Sequence, residues 1–252
     1  MKKGLCFILV LSFMMVLSGC GENNSQSVTS NNTKVTKEDT GRANMTDLSA
    51  ITTVEELEEY ITNDVEDTLN KLKTDQEKLT SEINTYEKYV DNVTKVEAYY
   101  NKTLEETNQL GIRLREYSLK YAQVVLDMQN GYDEKYDELD GIYDCIYEDA
   151  GDDMYDIYDV ILQNLYDTYY DGILEDGYDL VPYEEWFDTQ SKEYELWSDT
   201  RSDVYDIWSD TKSEIYDFCM DIKGEVYDRD DERIQEIIEK FTEDITDLKS
   251  DK

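Results

Sequence analysis

The chain has 252 residues and a formal net charge of −37, from 61 acidic and 24 basic side chains, with no histidine. That charge repels nucleic acid, anionic wall polymers and anionic membrane surfaces, and it favours metal cations and basic peptides or proteins. Without histidine there is no Ser-His-Asp or Cys-His catalysis and no Glu-x-x-His di-iron bundle. The sequence also lacks GxxxxGK[ST], GxGxxG and GxSxG motifs, so it is read as a non-enzyme with no catalytic residues, no cofactor and no defined metal site. High charge and a mean hydropathy of −0.72 would suit a disordered chain. Against that stand 22 Tyr, 5 Phe and 3 Trp, large apolar bodies that recur at regular spacing.

In chain order, Lys2 and Lys3 precede an almost unbroken apolar run from Leu5 to Leu17, followed by Ser18, Gly19 and Cys20. The run has the form of a secretory signal peptide and is too short for an ordinary membrane span. Leu17-Ser18-Gly19-Cys20 resembles the lipobox of bacterial lipoproteins. The resemblance covers the first twenty residues only. It implies cleavage before Cys20, a diacylglyceryl (palmitate-type) anchor on its sulfur, and a place on the outer, extracytoplasmic face of the cell membrane. Loss of Lys2 and Lys3 with the signal leaves 22 basic against 61 acidic residues, a net −39. Residues 20–46 are polar and read as the lipidated cysteine plus a flexible tether, with a reach of roughly 28 Å.

Residues 47–252 read as an acidic helical rod. Thr53-Val54-Glu55-Glu56 fits a capping box. Val54, Leu57, Ile61, Val65, Leu69, Leu72, Leu79, Ile83, Tyr86, Val90 and Val93 then follow on one helical face, in heptad steps from Leu69 with Gln76 the polar exception. From Leu110 the period becomes eleven. Leu110, Tyr121, Tyr132, Tyr143, Met154 and Leu165 form one column. Leu114, Val125, Tyr136, Tyr147, Tyr158 and Tyr169 form a second, and Tyr117, Met128, Leu139, Ala150, Ile161 and Gly172 a third. Eleven residues in three turns give a nearly straight or gently right-handed seam. The columns stay in frame across Asn130-Gly131, which predicts that the helix passes through that dipeptide. Asp176 to Pro182 is the clearest turn. Gly177 ends one helix there, and Pro182 opens the next. A second eleven-residue array follows, with columns Tyr183, Tyr194, Tyr205, Tyr216, Tyr227; Trp186, Trp197, Trp208, Cys219; and Val204, Ile215, Val226, Ile237.

These patterns predict an all-α fold: an elongated antiparallel three-helix bundle or coiled coil with helices at about 53–108, 110–175 and 183–248, each roughly 80–100 Å long. One alternative breaks the chain at Asn130-Gly131 instead, giving unequal helices. Another is a self-associating rod. The Tyr-Asp pairs are read as seam tyrosines beside solvated acids, because neighbours on a helix point about 100° apart. The Trp column is read as core. The acid clusters 137–141 and 148–153 match no EF-hand and imply only weak, diffuse divalent-cation association. Cys145 and Cys219 flank the 176–182 turn about six residues out of register, and a stagger between the helices would make them a disulfide pair. The functional expectation is a spacer, scaffold or interaction surface. The alternative is an acidic module that captures a basic protein or peptide, or divalent cations.

Overall fold

The computed structural model describes residues 48–250. The signal segment, Cys20 and the tether lie outside the described residues. Within them the chain is an all-α bundle of antiparallel neighbours. The helices are α1 (Val54–Glu82), α2 (Tyr86–Asp127), α3 (residues 132–176), α4 (Tyr183–Asp228) and α5 (Asp231–Ser250). Three expected segments are therefore divided into five helices. The longest, α4, has 46 residues and measures about 69 Å at the helical rise, short of the expected length.

Thr53 caps α1 as the sequence suggests, accepting from the Glu56 N–H at 3.3 Å, while the Glu56 carboxylate reaches the N–H of Thr52 at 3.5 Å. The heptad stripe does not continue as one helix. It stops at Ile83, and Thr85 caps α2 by accepting from the Lys88 N–H. The chain folds back there. The Tyr60 and Tyr117 rings meet edge-on at 5.7 Å, Tyr99 OH donates to Leu72 O at 2.8 Å, and Arg113 reaches Asp64 at 2.7 Å. With the turn in place the seam shifts. Val90 is left exposed, while Tyr86, Tyr89, Val96 and Tyr100 are buried. Asn92 kinks α2 just inside this shift.

No break occurs near residue 109. α2 runs to Asp127, and the chain turns at 128–131, with the Glu134 carboxylate accepting from the Gly131 N–H. The alternative break at Asn130-Gly131 is the observed one. The columns keep their frame because α2 and α3 point their seams at the same core; frame continuity across a turn does not require helix continuity. At the 176–182 turn Gly177 has ordinary right-handed dihedrals. Its role is close approach, since a Cβ there would run into the Tyr86 ring. Tyr121 crowds Gly141 in the same way.

α4 does not continue to residue 248. It ends at Arg229, which is left-handed (φ 61°, ψ 39°), and the Asp230 N–H donates to Glu225 O at 3.0 Å, a Schellman-type end. α5 then folds back so that Phe241 stacks on Phe218 at 4.1 Å. A left-handed non-glycine residue costs about 1–2 kcal/mol. Arg229→Gly is therefore expected to stabilise the fold by about 1 kcal/mol in urea unfolding; an unchanged or lower midpoint would contradict this turn geometry.

Leu57, Ile61, Val65 and Leu72 of α1, Leu110 and Leu114 of α2, Ile146, Ile157, Ile161 and Leu165 of α3, and Val204, Ile215 and Val226 of α4 form the buried core. Each contributes on the order of 1.5–3 kcal/mol by leaving water. Gln76, the polar exception in the stripe, is buried too, and its amide donates to Ile161 O at 2.7 Å.

Candidate functional site

The most extensive non-core feature is the seam between α3 and α4, where the two eleven-residue arrays meet antiparallel and in register. Tyr136 packs on Tyr227 (6.1 Å between ring centroids), Tyr147 on Tyr216 (5.7 Å) and Tyr158 on Tyr205 (5.5 Å). Between them Tyr155 meets Trp208 (4.8 Å) and Tyr166 meets Trp197 (4.4 Å). Eleven residues up one helix are matched by eleven down the other, so the rings form a ladder.

The Trp column is half-buried against the core, as expected, and it also has a polar task. The indole N–H groups of Trp186, Trp197 and Trp208 donate to the carbonyls of Leu174 (2.7 Å), Leu162 (3.1 Å) and Gly151 (2.8 Å). Each acceptor directly follows a π-helical stretch of α3: Tyr169–Ile173, Ile157–Ile161 and Ile142–Ala150. The indoles thus donate at the first residue after each wide turn. Cys219, the fourth member of the column, points its Sγ at Leu139 O at 3.8 Å. From Trp186 to Cys219 is 33 residues and from Leu139 to Leu174 is 35, so the acceptors on α3 are spaced 12, 11 and 12 residues apart against eleven for the donors on α4. Trp197→Phe is expected to remove the donor to the Leu162 carbonyl and to lower stability by about 1 kcal/mol in urea unfolding. A neutral result would mean that the indole donor carries no weight.

A column that the sequence reading missed runs beside the tryptophans. Arg201, Lys212 and Lys223 are also eleven apart and lie over rings of α3: Arg201 Cζ is 4.1 Å from the Tyr158 centroid, Lys212 Nζ 4.2 Å from Tyr147 and Lys223 Nζ 4.3 Å from Tyr136. Lys212 also pairs with Asp152 at 2.7 Å, and Lys223 with Asp140. Asp140 and Asp152, from the two acid clusters, thus face α4 cations. Among the described residues no three Asp, Glu or Cys side chains converge as a metal site would require. Asp149 and Asp153 titrate above the ordinary carboxylate range, first because of burial and then because of neighbouring acids. The duplicated phrases WSDTRSDVYDI and WSDTKSEIYDF carried the signal for the cation column.

The tyrosines of α4 lie at the solvent edge of this seam: Tyr183, Tyr194, Tyr205, Tyr216 and Tyr227 are between 41 % and 75 % exposed. Each is followed by an exposed acid: Glu184, Glu195, Asp206, Asp217 and Asp228.

Cys145 and Cys219 are free thiols, so the expected bridge is absent. Burial pushes Cys145 up to about 12 and Cys219 up to about 11, which leaves both thiols protonated and unreactive at neutral pH.

Glu193 departs most from its surroundings. It stands eleven residues before Val204, in the Val204–Ile215–Val226 column, and is fully buried. Tyr89 OH donates to its Oε2 at 2.5 Å and Tyr100 OH to its Oε1 at 2.6 Å. Loss of water pushes its pKa up to about 7 against the two hydroxyls, which pull it down. Both phenols are in turn held well above their ordinary range, by burial first and then by the carboxylate. Since the folded pKa exceeds the unfolded one, the protonated form is favoured by folding; the stability it contributes is complete below about pH 4.5 and is lost as pH rises through about 7. The gap corresponds to about 3 kcal/mol. Glu193→Gln is expected to be more stable than the native chain at pH 8, with the difference vanishing near pH 4.5. A pH-independent difference in unfolding free energy would overturn this.

Comparison with family models, with curated proteins and with solved structures finds no match to this chain. Among the described residues no helix is long and apolar enough to cross a membrane.

Proposed function

We propose that this chain is a lipid-anchored, non-enzymatic helical lipoprotein of the outer face of a bacterial membrane, and that it presents the α3–α4 seam as an interaction surface. The observation that carries the reading is the row of α4 tyrosines, at least 41 % exposed and repeated every eleven residues on a helix that already has a complete apolar seam. Their exposed area adds nothing to burial, and large exposed aromatic surface is characteristic of binding sites. The anchoring half of the proposal rests on Lys2, Lys3, the Leu5–Leu17 run and Cys20. A lipid on that cysteine would hold the bundle at the membrane through the polar segment 21–46, leaving the helical faces for partners.

The acidic binding-module reading is favoured by a separate observation. Where the ladder takes in cations of its own, it seats each over a tyrosine, and two of the three also meet an aspartate. This gives the interaction surface a preference for positive charge. Cys20→Ala is expected to abolish incorporation of labelled fatty acid and to block cleavage of the signal segment; labelling of the variant equal to that of the native chain would sink the anchored reading.

A further inference from the structure

We infer that the α3–α4 face binds one basic polypeptide in extended form, its lysines or arginines repeating at about 16 Å and seated on the α4 tyrosines. The inference rests on reading this face as an interaction surface and names its occupant. Inside the ladder, Tyr147 and Tyr136 each hold a lysine that an aspartate of α3 also meets. On the outside, Tyr194, Tyr205, Tyr216 and Tyr227 repeat the ring without a cation of its own, on a helix surface that also exposes Glu195, Asp206, Asp217 and Asp228. The aromatic rings and the acidic helix surface attract the same charge, the first through their quadrupoles and the second directly.

The chain's charge of −37 opposes the other occupants. A second copy would bring two acidic faces together, and an anionic lipid surface or nucleic acid would be repelled. A neutral glycan could stack on the rings but would gain nothing from the acids. Spacing adds a constraint. Eleven helical residues advance about 16 Å, the span of about five residues of extended polypeptide. A partner with a cation every fifth residue therefore meets successive tyrosines in step.

The test is isothermal titration of the full chain in detergent with a twenty-residue Gly/Ser peptide carrying a lysine at every fifth position. The controls are a peptide of the same composition with its four lysines adjacent, and a soluble chitin oligosaccharide. The spaced peptide is expected to bind at least fivefold more tightly than the clustered one, with affinity falling as salt rises. Tyr194→Leu/Tyr205→Leu/Tyr216→Leu, which keeps apolar bulk and removes the ring faces, is expected to weaken binding about tenfold or more. Asp206→Asn/Asp217→Asn/Asp228→Asn, at exposed positions outside the core, is expected to weaken it and flatten the salt dependence. Equal binding of the two peptides would overturn the inference, as would insensitivity to both sets of substitutions. Binding of the oligosaccharide alone, lost in the tyrosine variant, would overturn it while leaving the interaction-surface reading in place; no binding by any of the three would remove both.

Discussion

The register between α3 and α4 is the constraint on which the other features of the seam depend. Two eleven-residue repeats run antiparallel, and every aromatic pair from Tyr136–Tyr227 to Tyr166–Trp197 requires them to stay in step. α3 carries three π-helical stretches along this seam. Trp186, Trp197 and Trp208 donate their indole N–H groups to the carbonyl just past each, and Cys219 faces the Leu139 carbonyl with its thiol. A slip by one residue would rotate each indole about 100° away from its acceptor.

Charge enters the same arrangement. A chain with 61 acids repels itself, yet its few cations are placed where they act on several groups at once. Lys212 touches Tyr147, Trp208 and Asp152 together. Arg115 is buried between α2 and α4, bound to Thr211 and Glu214, and Arg113 joins α2 to α1 through Asp64 and Thr68. Exposed ion pairs contribute little singly. These differ because at least one partner is largely withdrawn from water and bound by more than one group. The acids left over line the outside, where they bias the surface toward cationic partners.

Glu193 shows what the repeat can tolerate. The column it occupies is aliphatic in the three following repeats. The cation column also lapses in this repeat: Gln190 stands where Arg201, Lys212 and Lys223 would lead one to expect a fourth cation. The first repeat of α4 is thus chemically different from the others. Its carboxylate is satisfied by two buried phenols in place of a counter-ion, which keeps the site hydrogen-bonded but leaves its charge uncompensated. A buried polar group in this state holds the local packing in one arrangement and ties it to pH.

The all-helical class, the two eleven-residue arrays, the Thr53 cap and the 176–182 turn were legible in the sequence because each depends on residues close together in the chain. The cation column and the misplaced Glu193 were also there to be read, at the same spacing of eleven, once the apolar columns were extended to polar positions. The turns at 83–85 and 229–230 were not, and the one at 128–131 entered only as an alternative. In each, the apolar period continues across the break, because both flanking helices face one core, and a one-dimensional pattern reports which face is buried without reporting the direction of the chain. Only the tertiary structure decided that Tyr86 lies against Gly177, that Arg229 turns left-handed, and that the α4 tyrosines face water while those of α3 are partly covered. The physical reason is that side-chain periodicity fixes a helix's buried face, whereas the width of that face depends on how many neighbours share it.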